Sequence, residues 1–209
     1  FILFLNTLCA QSNFNHVELD SIPSDLPLPK ITTLTTPSDG YIFAAVPYWG
    51  NGAKYLVVYD NSGRPVFNRK TEATCTDFKM QDNGLLTYYD YAAQKFFAMD
   101  STLGVVDSFW VQNGFITDEH DLKILPNGNV LLIGYAVKFF DMRQYVQGGD
   151  PNASVIVNVI QEIDRNKNVV FDWKSADHYK ITDAGSSVNL LDPAFVHAHI
   201  NSVCVDLDG

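Results

Sequence analysis

The stretch His120-Asp121-Leu122-Lys123-Ile124-Leu125-Pro126-Asn127-Gly128-Asn129-Val130-Leu131-Leu132-Ile133-Gly134-Tyr135 decides how this chain is read. It predicts a β-hairpin. Leu122, Ile124 and Leu125 begin an apolar strand, Pro126-Asn127-Gly128 turns the chain, and Val130, Leu131, Leu132 and Ile133 return it. An earlier stretch repeats it without a gap: Thr76-Asp77-Phe78-Lys79-Met80-Gln81-Asp82-Asn83-Gly84, then Leu85-Leu86-Thr87-Tyr88-Tyr89. The Asp, Lys, Asn and Gly coincide position for position. The first residue differs, Thr76 in one copy and His120 in the other. The hairpin therefore folds without a histidine at that place. A histidine present in one copy and absent from its twin points to chemistry rather than scaffold.

A second pattern alternates with the first: an apolar strand, an Asp, a short turn, and a second apolar strand. It runs Tyr55-Leu56-Val57-Val58-Tyr59-Asp60 to Val66-Phe67, then Phe96-Phe97-Ala98-Met99-Asp100 to Val105-Val106, then Val159-Ile160-Gln161-Glu162-Ile163-Asp164 to Val169-Val170-Phe171. Asp60 and Asp100 are 40 residues apart, and Gly84 and Gly128 are 44 apart. Units of roughly 40–50 residues, each two hairpins, have the size of a β-propeller blade. No window carries a helical apolar stripe free of turn residues. The fold expected is all-β, an incomplete β-propeller of about four blades over residues 31–209. Two excursions interrupt the period: residues 140–153, with the surface insertion Gln147-Gly148-Gly149-Asp150-Pro151-Asn152, and residues 175–193. Val203-Cys204-Val205-Asp206-Leu207-Asp208-Gly209 reads as a strand entering a turn, so the expectation is a piece of a longer protein.

The chain has 209 residues, 46 % of them hydrophobic and 13 % aromatic, enough for a packed core. A net charge of -10 without any basic run argues against nucleic acid and anionic membrane surfaces. Residues 1–10, Phe-Ile-Leu-Phe-Leu-Asn-Thr-Leu-Cys-Ala, read as the remnant of a signal peptide cleaved after Ala10, with a buried first strand as the alternative. Export to the periplasm or the extracellular space follows. Residues 11–30, bearing Pro23, Pro27 and Pro29, read as an extended lead-in. No later run is long enough to span a bilayer. Cys75 and Cys204 either pair in an oxidising compartment or, more simply, are two buried thiols on different strands.

There are five histidines. His16 lies in the lead-in, His178 on a loop, and His120 opens the key hairpin. His197 and His199 are two apart, which puts both on one face of a strand. Counting back from the turn glycine, Asn201 is the strict counterpart of His120, and His199 lies two residues earlier. In a propeller such positions converge on the central channel, and two imidazoles there make a site. As a metal set, His120, His197, His199 and Asp121 lack tight ligand spacing. Asp164-x-Asn166-x-Asn168 copies the start of a calcium loop but lacks its Gly and its Glu, so a plain turn is expected. No metal and no cofactor are expected.

With these residues in place a resemblance becomes usable. The run from Val159 to Asp164, then Val169-Val170-Phe171-Asp172-Trp173-Lys174-Ser175-Ala176-Asp177-His178, then His199-Ile200-Asn201-Ser202-Val203 and Asp206-Leu207-Asp208-Gly209, resembles the secreted bacterial-type arylsulfotransferases. With His120-Asp121 and the Leu-Pro-Asn-Gly-Asn turn, the similarity covers roughly residues 115–209. The resemblance implies a six-bladed propeller. It also implies transfer of a sulfuryl group from a phenolic sulfate ester to another phenol, without a nucleotide donor and through a sulfated histidine. It makes His120 and His199 active-site histidines, with Asn201 beside His199; the site expected has His120 and His199 as catalytic residues and Asn201 and His197 as substrate-binding ones. The partners implied are a small aryl sulfate donor and a phenolic acceptor. It places the nucleophilic histidine and an arginine in later blades, so the chain alone is expected to be inactive. Two other classes stay open: a binding propeller of the same descent, and a metal-dependent hydrolase propeller.

Overall fold

The computed structural model describes residues 22–32, 36–46 and 52–206. The expected signal remnant 1–10, Cys9, His16 and the Asp208-Gly209 turn lie outside them. The described residues form an all-β structure of twelve strands, with helix confined to one turn, α1 (Ser175–His178), and two 3-10 turns, Met142–Gln144 and Ile181–Asp183. A three-stranded sheet runs β1 (Ile42–Val46), β2 (Lys54–Tyr59), β3 (Pro65–Thr71). A four-stranded sheet runs β4 (Cys75–Met80), β5 (Leu86–Asp90), β6 (Lys95–Met99), β7 (Val105–Phe109). The third orders β8 (Ile116–Ile124), β9 (Val130–Phe140), β10 (Ala153–Ile163) and β11 (Val169–Lys174), with β12 (Ala194–Val196) also on β10. None of the sheets closes on itself.

Two turn types alternate as the sequence repeats predict, and they share one backbone design. In the Asn-Gly turns Gln81 N donates to Leu85 O and Gly84 N to Gln81 O, while Leu125 and Gly128 do the same with Asn129 and Leu125. In each the Asn side chain accepts from the backbone two residues on. Gly84 and Gly128 supply the positive φ, +83° and +84°, that a three-residue hairpin loop demands. The Asp turns repeat this with a carboxylate as the local acceptor. Asp60 takes Ser62 and Arg64 N–H, Asp100 takes Thr102 and Gly104, and Asp164 takes Asn166 and Asn168. Asp164-x-Asn166-x-Asn168 is thus the plain turn expected, its carboxylate spent on backbone amides. The left-handed position is Gly63 in the first copy, Leu103 in the second and Lys167 in the third.

The chain divides into two compact units, residues 1–92 with 97–107 and residues 93–96 with 108–209, of which the described parts follow. In the first unit β2 is buried on both faces. Leu56 and Val58 join Val66, Phe67, Cys75, Phe78, Leu86, Tyr88 and Met99 on one side. Tyr55, Val57 and Tyr59 meet Leu26 on the other. The lead-in is therefore anchored rather than merely extended: Leu26 is in that core, and Tyr55 and Tyr59 hydroxyls donate to Asp25 and to Pro27 O. Cys75 is a buried free thiol, pushed up to about 11 by burial. Cys204 is free but exposed, which corrects the expectation of two buried thiols.

In the second unit the sequence excursions turn out to be structural. β9 and β10 are 11 residues each and pair throughout, from Val130 opposite Ile163 to Phe140 opposite Ala153. The outer half of this long hairpin carries its own core. Met142, Ala153, Val155, Val157 and Ile181 are buried, with Phe140, Val146, Ala176, Leu190 and Phe195 against them. Gly149, inside the expected surface insertion, is buried and packs so tightly on Met142 that an added Cβ would lie 2.6 Å from its backbone. β12 pairs parallel with β10, Ser154 to Ile156 opposite Ala194 to Val196. A parallel neighbour is invisible to a reading based on hairpins. The strand expected to begin at Val203 is not seen among the described residues, because 201–206 have no regular structure.

Candidate active site around His120

β8 is not a continuous strand opposite β9. Thr117 pairs Gly134 and Leu122 pairs Leu132, so four residues, 118–121, stand opposite Ile133 alone. Three of them are extra, and they form a wide bulge. Its sequence is Asp118-Glu119-His120-Asp121. Asp118 holds it: Oδ1 accepts His120 N–H at 2.9 Å, an Asx turn with the spacing used in the Asp turns. Gly134, which pairs Thr117 where the bulge begins, is itself closely packed. A Cβ there would lie 2.9 Å from Ile116 O and 2.9 Å from the Val111 methyls.

The same Asp118 oxygen lies 2.5 Å from His120 Nδ1. Asp118 is 7 % exposed, while the His120 side chain is one third exposed (33 %). An ionised carboxylate can only accept, so Nδ1 carries the proton and Nε2 is left free for other work. His199 approaches from the segment after β12. The two imidazoles meet edge to face with 5.1 Å between centroids, inside the roughly 10 Å that a shared small-molecule site permits. Asp121 secures that segment, its Oδ2 accepting Val203 N–H at 2.8 Å. Tyr135 on β9 is also near. Burial first, then the charges of Glu119 and Asp118, raise its hydroxyl above the ordinary tyrosine value of 10.0.

The other expected residues are elsewhere. β12 ends at Val196, so His197 and His199 do not share a strand face. His197 is 4 % exposed with Nε2 2.8 Å from Lys180 O, whereas His199 is exposed beside His120. His197 lines a separate cleft to which neither His120 nor His199 contributes. Asn201 is exposed, two residues before the Val203 amide that Asp121 holds. His178 ends α1 and stacks on Trp173 at 5.2 Å. The metal set His120, His197, His199 and Asp121 is therefore not assembled. A different set could hold an ion: Asp118, Glu119 and His120 offer ligand atoms within 4.8 Å of one another, although Asp118 Oδ1 and His120 Nδ1 already satisfy each other.

Asp118 and Tyr135 were missed in the sequence. The signal for Asp118 was available, because Asp two residues before His repeats the spacing of Asp60-x-Ser62 and Asp100-x-Thr102. Tyr135 carried no such signal, since nothing in the repeat says that its hydroxyl lies near an acidic bulge.

The repeated hairpins and the histidine pair bear on descent. A family model described as arylsulfotransferase (ASST) matches residues 32–208, most of the chain. The chain belongs to the arylsulfotransferase family, whose chemistry is sulfuryl transfer between small aryl sulfates and phenols. No curated relative matches the chain. Among the described residues no helix is long and apolar enough to cross a membrane.

Proposed function

We propose that this protein transfers a sulfuryl group from a phenolic sulfate ester to another phenol, at a site built on His120 and His199. The observation that carries the reading is the His120–His199 pair with Asp118 behind His120. Asp118 keeps the proton on Nδ1, so Nε2 exchanges protons with the reacting oxygens. In the first half-reaction an imidazole nitrogen attacks sulfur, the aryl oxygen leaves with the S–O electron pair, and protonated His120 Nε2 gives that oxygen its proton. In the second, the acceptor phenol loses its proton to Nε2 as its oxygen attacks sulfur and the N–S bond breaks. Asp118 offsets the imidazolium that stands before the first half-reaction and is restored by the second. His199 donates to the oxygens of the transferring group, where charge develops. The family resemblance assigns the group-carrying histidine to a later blade, so His120 and His199 serve as proton carrier and charge stabiliser.

The propeller belongs to this proposal too. Its support is that two sheets are meanders of four consecutive strands and that the Asp turn joins the last two strands of all three sheets. By that correspondence β1, β2 and β3 are the second, third and fourth strands of their unit. Export is part of the same reading and rests on the apolar composition of residues 1–10.

The test is steady-state kinetics of the full-length protein with an aryl sulfate and a phenol. Ping-pong behaviour is expected, because the group resides on the enzyme between two half-reactions. His120→Asn and His199→Asn should each lower kcat on the order of 10²–10³-fold with the fold intact. Normal transfer with both histidines replaced overturns the site. Inactivity of the unaltered protein on every aryl sulfate tried would leave a binding protein instead.

A further inference from the structure

We propose that the cleft lined by His197 is a binding site for a neutral aromatic alcohol, whose hydroxyl donates a hydrogen bond to His197 Nδ1. The cleft encloses about 410 Å³, within the range of small-molecule sites. It lies on the outer half of the β9–β10 hairpin, where residues 176–182 cross it. Phe140, Tyr145 and Tyr179 give it aromatic walls, and Val157 and Ile181 add aliphatic ones. Tyr145 and Tyr179 are also 46 % and 52 % exposed, so they form its rim, with Tyr179 edge-on to Trp173.

His197 is the group that selects the ligand. Its Nε2 sits 2.8 Å from Lys180 O, and a carbonyl oxygen only accepts, so Nε2 carries the proton. Nδ1 is then a bare lone pair. It is buried and has no hydrogen-bond partner in the protein. A buried acceptor without a donor is unfavourable, and a ligand that fills the cleft gains most by supplying one. Asp177 and Lys180, both in the lining, offset each other in charge. An anionic sulfate ester would find no net positive charge here and would set its oxygens against the Nδ1 lone pair. The cleft therefore suits a phenol and disfavours the sulfate ester of the same ring. The ligand class follows from the cleft and does not need the transfer reading. If transfer holds, this is a second phenol site in the same unit, without His120 or His199.

The experiment is an NMR titration of the full-length protein with three probes: 4-methylphenol, 4-methylanisole and 4-methylphenyl sulfate. The His197 imidazole and the Lys180 and Ile181 amides are followed. 4-Methylphenol should shift them saturably. 4-Methylanisole keeps the ring but lacks the donor and should bind about tenfold more weakly or worse. The sulfate ester should be weaker than 4-methylphenol as well. His197→Phe should abolish the 4-methylphenol response. That substitution also removes the bond to Lys180 O, so the probe series on the unaltered protein stands as the independent measurement. The proposal is overturned if the ether binds as well as the phenol, if the sulfate ester binds tightest, or if no probe moves these signals. No turnover is read, so the result stands apart from whether the protein transfers sulfate.

Discussion

The hairpins β4–β5 and β8–β9 share their turn and differ in the strand leading into it. In the first, Thr76 pairs Tyr89 and Lys79 pairs Thr87, which leaves one extra residue in a small bulge. In the second the corresponding bulge holds three extra residues. The gapless match of the two sequences hides this, because the two additional residues are absorbed upstream of the match. Thr76 sits in a ladder, while its partner in the alignment, His120, sits on a bulge held by Asp118. Cys75 in the twin corresponds in register to Thr117, opposite Asp90 and Gly134 respectively. The pair teaches that a repeat can preserve its turn and register while converting one strand into a platform. What distinguishes the histidine copy is a whole segment, not one residue.

The strongest way to break the comparison is to leave His120 in place and remove what positions it. Asp118→Asn presents an amide to Nδ1 in place of a carboxylate. The imidazole is then free to take the other tautomer, and the imidazolium loses its counter-charge. If His120 carries protons in transfer, kcat should fall on the order of 10²-fold, within the usual range for a proton-transfer group. The pH profile of kcat should change with it, which a purely structural role for Asp118 would not cause. Thr76→Val, at the aligned place in the twin, should alter neither. An Asp118→Asn protein with unchanged kcat and pH profile would show the bulge to be scaffold.

How much of this was legible follows from the same pair. Apolar alternation and the Asn-Gly and Asp turns are local, so strands, hairpins and the all-β class could be read directly. The approach of His199 to His120 is what the sequence leads one to expect, although from similar places in successive hairpins, whereas His199 comes on an irregular segment after β12. The split between His197 and His199 could not be read. It depends on β12 joining β10 in parallel and ending at Val196, and on Lys180 O taking the His197 ring. Both are contacts between distant parts of the chain. The excursions 140–153 and 175–193 read as loops because their apolar residues lack a period. Met142 and Val146 from one and Ile181 and Leu190 from the other pack together against the long hairpin, and a core shared between two irregular segments leaves no periodic trace.

A sharper and smaller effect is expected at the ladder pair just before the bulge. Gly134 faces Thr117 where the twin has Asp90 facing Cys75. The twin tolerates a side chain there, whereas at Gly134 a Cβ would press on Ile116 O and Val111 at 2.9 Å. Backbone is one of the two obstacles, so the strand has to move. Gly134→Ala should destabilise by about 1–3 kcal/mol in urea unfolding. Asp90→Asn keeps a Cβ and an acceptor for Ala92 N–H and should cost under about 0.5 kcal/mol. Equal effects at the two sites would mean that the close packing of Ile116 and Val111 on Gly134 does not set the two hairpins apart.

The smallest effect concerns the turn that the units hold in common. Asp100 is held below the ordinary aspartate value of 3.8, chiefly by the Thr102 hydroxyl and then by the backbone amides of Thr102 and Gly104. Asp60 is lowered in the same way by Ser62, and Asp164 by Asn168. A carboxyl whose folded value is depressed stabilises the fold when ionised. That contribution is complete above the unfolded value and is lost as pH falls through the lower folded one. Asp100→Asn keeps an acceptor oxygen and removes only the charge. At pH 7 the variant should melt slightly below the unaltered protein. As pH drops beneath 3.8 the gap should close, because Asp100 then loses its charge as well. Melting curves from pH 7 to pH 2.5 would show it. A gap that persists at the acid end would mean that the turn depends on acceptor geometry and not on charge, and the shared design would then lie in the backbone and the left-handed fourth residue alone.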